Sequence, residues 1–289
     1  MANILSGKET AASLLTDTYA ESSLLREKGV VPALRILRVG ARPDDLSYER
    51  GVLKKAEAAG IFVSVAVIDD TDPVLAEEEL LKKIDEANED PLVHGILLFR
   101  PLPRSMRAHE MEIVERIHPS KDVDGVTRAS MLTVYSGRGD GFAPCTPAAV
   151  LRILDHYGID PAGRKTVVVG RSLVVGKPLA MLLLSRNATV TICHTRTKDL
   201  AAECAEAGIL VTTAGHAGTI RREHVRPGQI VLDVGVDFTP EGKMTGDVVF
   251  EEAEPVVGAI TPVPGGVGAV TTAVLLSHVT EAAKKQTEV

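Results

Sequence analysis

The sequence has few cysteines, no excess of positive charge and no long apolar run, and each shortage argues against a class of protein. The three cysteines, Cys145, Cys193 and Cys204, are scattered without metal-ligand spacing, so they indicate neither a disulfide framework nor a metal site. The eight histidines form no ligand pattern with carboxylates or cysteines, and we predict no bound metal. The formal net charge of -7 argues against a nucleic-acid surface, because neutralising phosphates requires a basic face.

Membrane and secretory segments are not indicated either. No apolar run approaches the ~20 residues of a membrane span, and the first residues, MANILSGKET, show no basic segment followed by an apolar one. We therefore expect a cytoplasmic protein that binds neither membranes nor nucleic acids. The chain has 289 residues, which is enough for about two domains.

Helical and strand patterns alternate in the first half of the chain. Strands are predicted over residues 33–39, 62–68 and 95–99, and helices over residues 8–28, 47–60 and 74–90. The charged segment ARPDDL before the second helix is interpreted as a loop. Such alternation predicts the α/β class, with a mostly parallel sheet and helices on its faces.

The stretch from Lys165 to Pro178, KTVVVGRSLVVGKP, predicts a nucleotide-binding turn. A buried strand ends at Gly170, and Gly176 precedes the apolar segment PLAMLLLS, which we interpret as a helix. This order places the N–H groups of a helix N-terminus at the carboxyl end of a strand, where a dinucleotide pyrophosphate binds. Because the spacing differs from GxGxxG, the neighbouring strands must support the prediction. Further strands at TVTIC, GILVTTAG and IVLDVGV predict a second, Rossmann-like domain.

The carboxyl ends of these strands favour NADP over NAD. Where an NAD-binding fold normally offers a carboxylate to the ribose, this chain has HTRT. Arg171 and Arg196 suit a 2′-phosphate; alternatively, Arg196 is an ordinary solvated charge. The small residues of TTAG either let a nicotinamide ring approach the backbone or only pack a helix against the sheet. The predicted cofactor-binding residues are Gly170, Arg171, Ser172, Gly176, His194, Thr195, Arg196, Thr213, Ala214, Gly215 and Gly235.

Candidate substrate residues follow the strands of the first domain. Tyr48 begins a helix after one strand, Arg100 follows another, and Asp122 and Asp124 lie in the loop KDVDG. The carboxyl ends of parallel strands share one edge, so we expect these residues to gather at one rim. Taken singly, Tyr48 is typical of amphipathic packing and KDVDG of a solvated turn.

With these segments in view, the chain resembles the methylenetetrahydrofolate dehydrogenase/methenyltetrahydrofolate cyclohydrolase family nearly end to end. The most specific motifs are PCTP, KDVDG and ITPVPGGVG, in an order that the family shares, together with VVVGRSxxVGKP, TVTICHTRT and GDVVF. The resemblance implies hydride transfer from the one-carbon bridge of methylenetetrahydrofolate to NADP. It also implies a cleft between two domains and a homodimer built through the cofactor domains.

The resemblance also implies roles for individual residues. Tyr48 and Asp124 are the expected catalytic residues, with Asp124 accepting hydrogen bonds from the amino-pyrimidine edge of the pterin. The expected domains are a folate-binding part, residues 1–145 with a C-terminal helix over 269–289, and an NADP-binding part, residues 146–268. The expected substrate-binding residues are Tyr48, Val52, Phe99, Arg100, Pro101, Leu102, Asp124, Pro264, Gly265 and Gly266.

The chain departs from the family at two positions that matter for hydrolysis. Bifunctional members have a lysine four residues after the tyrosine and a glutamine directly before LPLP, and here these positions hold Val52 and Phe99. Adding water to the methenyl carbon requires a group that activates water and handles a proton. We therefore predict that cyclohydrolase activity is weak or absent and that a separate enzyme hydrolyses the product. Asp45 also departs, since many members have a serine there.

Several alternatives stay open. The chain is bifunctional if Lys55, seven residues after Tyr48, or Arg100 supplies the missing cation. It is a folate- or nucleotide-binding protein without turnover if the loss of the lysine and the glutamine reflects a general loss of catalytic function. A different reduced pterin as substrate is also compatible with these residues.

Overall fold

The computed structural model describes residues 1–239 and 241–287. Its strands are β1 (Asn3–Ile4), β2 (Ala33–Val39), β3 (Phe62–Ile68), β4 (Gly95–Leu98), β5 (Lys165–Val169), β6 (Thr189–Cys193), β7 (Ile209–Thr212), β8 (Ile230–Asp233), β9 (Asp237–Phe238), β10 (Met244–Thr245) and β11 (Ala259–Ile260). Its helices are α1 (Gly7–Glu27), α2 (Pro43–Ala58), α3 (Pro73–Glu89), α4 (Glu110–Val114), α5 (Arg128–Ser136), α6 (Cys145–His156), α7 (Gly176–Ser185), α8 (Leu200–Ala205), α9 (Phe250–Ala253) and α10 (Val267–Thr287).

The chain divides into two compact units. The six-stranded unit contains residues 1–12 and 144–271, and the three-stranded unit contains residues 13–143 and the chain from residue 272 onward. This division differs from the predicted domains at the N-terminus, because β1 pairs with β11 in the six-stranded unit. A two-residue strand is too short for its periodicity to be recognised in the sequence. Residues 288 and 289 of the predicted C-terminal helix lie outside the described part of the chain.

The three-stranded unit is a parallel sheet with crossover helices. The strand order is β3-β2-β4, and the predicted strands over 33–39 and 62–68 are confirmed at both ends. The helix α3 begins at an N-cap, Asp72, whose carboxylate accepts hydrogen bonds from the amides of Val74 and Leu75. One face of α3 is buried in the core beside the sheet, through Ala76, Leu80, Ile84 and Ala87.

The helix α2 begins earlier than predicted. The segment ARPDDL was expected to be a loop, but the helix starts at Pro43, four residues before Ser47. Pro43 suits the first helical turn because its missing N–H would have no partner there, and Asp44 and Asp45 complement the positive end of the helix dipole. The loop prediction for residues 43–46 was therefore wrong, because a proline followed by acidic residues forms a favourable first helical turn.

The last part of α10 belongs to the three-stranded unit and is tied to it by polar contacts. The ring nitrogen Nδ1 of His278 donates to the carbonyl of Val123 over 2.9 Å, and its ring lies 4.9 Å from that of Phe142. The amide of Gln286 donates to the carbonyls of His94 and of Ser120. Among the described residues, no helix combines the length and the apolar character that crossing a membrane requires.

The six-stranded unit is a parallel sheet with the order β1-β11-β8-β7-β5-β6. From β5 the chain crosses to β6 on one side and then returns to β7 on the other side. In an open α/β sheet such a reversal leaves a crevice outside the carboxyl ends of the two strands, and ligands bind there. The unit is therefore Rossmann-like, with its candidate crevice at the ends of β5 and β7.

Replacing Leu80 with alanine tests the packing of α3. Leu80 is fully buried, so Leu80→Ala should lower the free energy of unfolding by about 2–5 kcal/mol in urea denaturation. The control on the same helix is Val74→Ala, where the side chain is 67% exposed and the change should stay within about 0.5 kcal/mol. Equal effects of the two variants would contradict the observed burial.

Candidate active site

The turn after β5 requires glycine. Gly170 has φ 134°, and a Cβ atom there would collide with Thr213 at the end of β7. The amide of Thr213 donates to the carbonyl of Val169 over 2.7 Å, which holds the two strand ends together. Gly176, the first residue of α7, is equally constrained, because a Cβ atom there would collide with the backbone of Gly170. These glycines allow the start of α7 to lie against the end of β5.

Ser172 has a structural partner within this turn. Its hydroxyl oxygen accepts hydrogen bonds from the amides of Val175, over 3.1 Å, and Gly176, over 3.2 Å. The hydroxyl therefore satisfies two amides at the N-terminal end of α7. Its predicted contact with a cofactor phosphate stays a prediction.

The segment after β6 is a tight turn that exposes an arginine. The amide of His194 donates to the hydroxyl of Thr197, and the amide of Arg196 donates to Nδ1 of His194. Thr195 and Arg196 are exposed, as is Arg171 after the neighbouring strand β5. Within the described residues, neither guanidinium takes part in an ion pair. Both cations are thus available to an anion at the carboxyl edge of the sheet.

Two buried carboxylates support the ends of β7 and β8. Asp247 accepts hydrogen bonds from Thr212, Ala214 and His216, whereas Asp233 accepts from the amides of Gly235, Asp247 and Val248. Burial, together with the neighbouring Asp247 carboxylate, raises the pKa of Asp233 to about 7. Sequence reasoning missed both residues. The available signal was an aspartate at the end of the otherwise apolar strand IVLD.

The segment ITPVPGGVG lies in the six-stranded unit. Gly265 has φ 101°, and its carbonyl accepts a hydrogen bond from the amide of Gly7 over 2.9 Å. A Cβ atom at Gly266 would collide with the carbonyl of Pro262. The predicted substrate contacts of Pro264, Gly265 and Gly266 stay predictions.

In the three-stranded unit, the predicted substrate residues come together around a cavity of about 150 Å³. The ring of Tyr48, on α2, lies 5.4 Å from the ring of Phe99, which follows β4. The residues that line the cavity are Asp45, Tyr48, Leu97, Leu98, Phe99, Arg100 and Asp124. The structure thus confirms that Tyr48, Phe99, Arg100 and Asp124 are neighbours, as the shared sheet edge predicts.

Arg100 connects two carboxylates at this cavity. Its guanidinium nitrogens lie 3.8 Å from a carboxylate oxygen of Asp124 and 3.8 Å from one of Glu110. Asp45 forms a bidentate pair with Arg42, with N–O distances of 2.8 and 3.1 Å. The cavity therefore presents acidic groups that are already paired with arginines, and a ligand has to share or displace these pairs.

Several predicted residues lie apart from the cavity lining. Val52 and Leu102 are fully buried, and Pro101 is exposed. Lys55 is half-buried, and burial lowers its pKa. In the described part of the chain, neither Val52 nor Lys55 lines the cavity.

The loop KDVDG carries Asp124 and is held in place by its two remaining charged residues, Lys121 and Asp122. The ammonium of Lys121 donates to the carbonyls of Ala87, Asn88 and Asp90 at the end of α3. The buried carboxylate of Asp122 accepts four hydrogen bonds, from Val126 N, Thr127 N, Thr127 Oγ1 and Ser130 Oγ. Asp122 is thus structural, and together these contacts place Asp124 at the cavity.

Comparison with known proteins matches both halves of the chain. Residues 5–124 match the tetrahydrofolate dehydrogenase/cyclohydrolase catalytic domain, and residues 144–287 match the NAD(P)-binding domain of the same family. A bifunctional protein FolD from Carboxydothermus hydrogenoformans is 47% identical, over 98% of this chain and 97% of its own. The chain belongs to the tetrahydrofolate dehydrogenase/cyclohydrolase family. The predicted family membership is therefore confirmed.

Solved structures of family members share the fold. The bifunctional FolD methylenetetrahydrofolate dehydrogenase/cyclohydrolase from Campylobacter jejuni is 37% identical with a TM-score of 0.93, and 99% of each chain is covered. The Trypanosoma brucei methylenetetrahydrofolate dehydrogenase-cyclohydrolase, solved with NADP and an inhibitor, is 31% identical with a TM-score of 0.90. The alignment covers 100% of this chain and 99% of that one. In the present chain, the region that matches the NAD(P)-binding domain includes β5 to β8 and the turn glycines Gly170 and Gly176.

Replacing Gly176 with alanine tests the tight turn. The new methyl group would collide with the backbone of Gly170, so Gly176→Ala should destabilise the protein by roughly 1–3 kcal/mol and weaken NADP binding. The control is Gly268→Ala in α10, where a Cβ atom meets nothing within 4 Å and stability should be unchanged or about 0.5–1 kcal/mol higher. Thermal denaturation and NADP titration measure both. A stable Gly176→Ala variant with normal NADP affinity would contradict the proposed role of the turn.

Proposed function

We propose that the protein catalyses the NADP-dependent oxidation of 5,10-methylenetetrahydrofolate to 5,10-methenyltetrahydrofolate. The observation that carries this proposal is the carboxyl edge of the six-stranded sheet, where Gly170 closes the contact between β5 and β7 beside two exposed arginines. The family match supports it over residues 5–124 and 144–287. A binding protein without turnover is less well supported, because the residues expected for dehydrogenation are all present.

The residues at the strand ends fit NADP. Gly170 and Gly176 allow the start of α7 to lie directly against the end of β5. The helix N-terminus is thereby placed at the carboxyl end of the strand, where a pyrophosphate binds. Arg171 and Arg196 follow neighbouring strands and suit the 2′-phosphate, and no carboxylate stands in HTRT to favour an unphosphorylated ribose. The family member from Trypanosoma brucei, which was solved with NADP, supports the same cofactor. When bound, NADP supplies the acceptor for the hydride.

The residues around the small cavity fit a reduced pterin. The carboxylate of Asp124 is suited to accept hydrogen bonds from the amino-pyrimidine edge, and the rings of Tyr48 and Phe99 offer an apolar wall. The guanidinium of Arg100 lies 3.8 Å from the Asp124 carboxylate and pairs with its charge. Because the lone pair of a substrate nitrogen expels the hydride, this step requires alignment and no protein base.

The relatives and the local residues support different conclusions about whether this chain also hydrolyses methenyltetrahydrofolate. The relatives from Carboxydothermus hydrogenoformans and Campylobacter jejuni are named as bifunctional, which favours the alternative that this chain also forms 10-formyltetrahydrofolate. Weak or absent hydrolysis is supported only by Val52, which is fully buried, and by Phe99, which packs against Tyr48. The bifunctional alternative has the broader support, and the loss of hydrolysis is a hypothesis about two positions. If that hypothesis is correct, a separate cyclohydrolase must consume the product.

A homodimer through the NADP-binding domain is also proposed, on the basis of the family resemblance. The segment around β9 offers an apolar surface, with Val236 and Phe238 more than half exposed. Burying such side chains between two copies stabilises association through the hydrophobic effect. A cytoplasmic location likewise stays an expectation.

Arg196→Ser tests the choice of cofactor. Removing the cation should raise the KM for NADP by roughly 10–100-fold and leave the KM for NAD nearly unchanged, because a hydrogen bond to a charged group contributes about 1.5–3 kcal/mol. Steady-state kinetics with each cofactor measure this. Arg164→Ser is the control, because Arg164 is exposed just before β5, at the opposite edge of the sheet. An equal loss with both cofactors would contradict the 2′-phosphate assignment.

A paired assay on the purified protein tests the reaction itself. NADPH should form from methylenetetrahydrofolate. If Val52 and Phe99 abolish hydrolysis, methenyltetrahydrofolate should decay no faster with the protein than in buffer. The double variant Val52→Lys with Phe99→Gln should then accelerate the decay, by up to ~10²–10⁴-fold for restored acid–base catalysis. Val52→Met with Phe99→Gln is the control, since methionine gives similar length without charge.

Accelerated decay by the unmodified protein would instead establish the bifunctional alternative. Lys55→Met and Arg100→Leu would then show which cation serves hydrolysis. Failure to form NADPH would overturn the proposed dehydrogenase.

A further inference from the structure

The strongest unexplained feature is the carboxylate of Asp247 beneath the loop that follows β7. Asp247 is fully buried, two residues after β10. Its carboxylate accepts hydrogen bonds from Thr212 Oγ1 over 2.7 Å, from Ala214 N over 2.6 Å and from His216 N over 2.9 Å. The three donors come from alternate residues, so one side chain anchors the loop at three points.

Asp247 is itself held by a second buried carboxylate. The amide of Asp247 donates to Oδ1 of Asp233 over 3.1 Å, and the amide of Val248 donates to Oδ2 over 2.9 Å. Asp233 is the last residue of β8 and also accepts a hydrogen bond from the amide of Gly235. Two carboxylates in series therefore connect the loop after β7 to the end of β8.

The glycines around these carboxylates show that the local backbone is packed directly against them. A Cβ atom at Gly235 would collide with the carboxylate of Asp247, and one at Gly246 would collide with that of Asp233. Each aspartate thus occupies the space that a side chain on the facing segment would need. This reciprocal arrangement leaves little freedom for the backbone to shift.

The supported loop is the one that faces the candidate crevice. Ala214 and Gly215 are exposed at the carboxyl end of β7 and have almost no side chain, so they can contact a cofactor only through their backbone or a methyl group. The placement of that backbone is therefore what such a contact depends on. Hydride transfer is sensitive to misplacement of about 1 Å, which can cost ~10²-fold in rate.

We infer that Asp247 is a positioning residue that sets the loop over residues 213–216 against the nicotinamide half of the cofactor, an inference that rests on the proposed function. The carboxylate acts through the backbone and touches no reacting atom. The phosphate and adenosine half is assigned to the ends of β5 and β6, which Asp247 does not contact through any hydrogen bond among the described residues. The two halves of the cofactor should therefore respond differently to a change at Asp247.

Asp247→Asn is the direct test, because every partner of the carboxylate is a donor. The asparagine NH₂ group would have to face either the amide of Ala214 or that of His216, and the loop should shift to relieve this repulsion. We expect kcat for NADPH formation to fall by about 10–100-fold. Binding of adenosine 2′,5′-bisphosphate, which carries only the phosphate and adenosine half, should be unchanged in calorimetric titration, while NADP affinity falls less than kcat does.

Thr212 gives a milder test if the asparagine variant does not fold. Thr212→Val removes one of the three donors and keeps the shape of the side chain, so kcat should fall by a smaller factor. Thr212→Ser retains the hydroxyl and is the matched control, with kcat near that of the unmodified protein. The same titrations with NADP and adenosine 2′,5′-bisphosphate apply to both variants.

The outcomes separate this inference from the proposed function. A variant that binds NADP and adenosine 2′,5′-bisphosphate more weakly by the same factor, with kcat unchanged, would overturn the positioning role and leave a merely structural one. Unchanged kcat and affinities in Asp247→Asn would overturn it as well. If the unmodified protein neither binds NADP nor forms NADPH, the proposed function fails and the inference fails with it.

Discussion

The contact between the ends of β5 and β7 is the constraint on which the nucleotide-binding half depends. Gly170 adopts a conformation that a side chain would strain, and Thr213 occupies the space where its Cβ would lie. Because β5 pairs with β6 on its other side, the chain reverses direction across the sheet at this point. This reversal creates the crevice, and the start of α7 and the exposed arginines lie at the same carboxyl edge of the sheet.

Hydrogen bonds to buried aspartate and lysine side chains, in addition to apolar packing, hold the loops that carry the candidate site. Lys121 binds three carbonyls, Asp122 accepts four hydrogen bonds, and Asp233 and Asp247 each accept three. Each of these buried side chains satisfies several backbone groups at once, and losing such a partner inside the protein leaves unsatisfied donors or acceptors. These contacts face the interior, and Ala214 and Gly215 stay exposed on the outer side of the loop after β7.

Much of the architecture was predictable because it depends on local patterns. The strands over 33–39 and 62–68 and the turn at Gly170 follow from apolar runs and glycine placement. Tyr48 follows from its position after a strand, and Asp124 from the motif KDVDG. The strand β1 and the start of α2 at Pro43 were missed, since two residues carry no periodicity and a charged first turn resembles a loop. The supporting roles of Asp233 and Asp247 were also missed, because their partners lie up to 35 residues away.

By itself, the sequence determined the α/β class, the family and the chemical identity of the candidate site residues, since these depend on residue type, spacing and motif order. Only the tertiary structure decided which strands are neighbours, that Arg100 pairs with Asp124 and Glu110, and that Asp247 supports the loop after β7. The physical reason is that these contacts join residues far apart in the chain. Their formation depends on the register of the sheets and on burial, which no local pattern specifies.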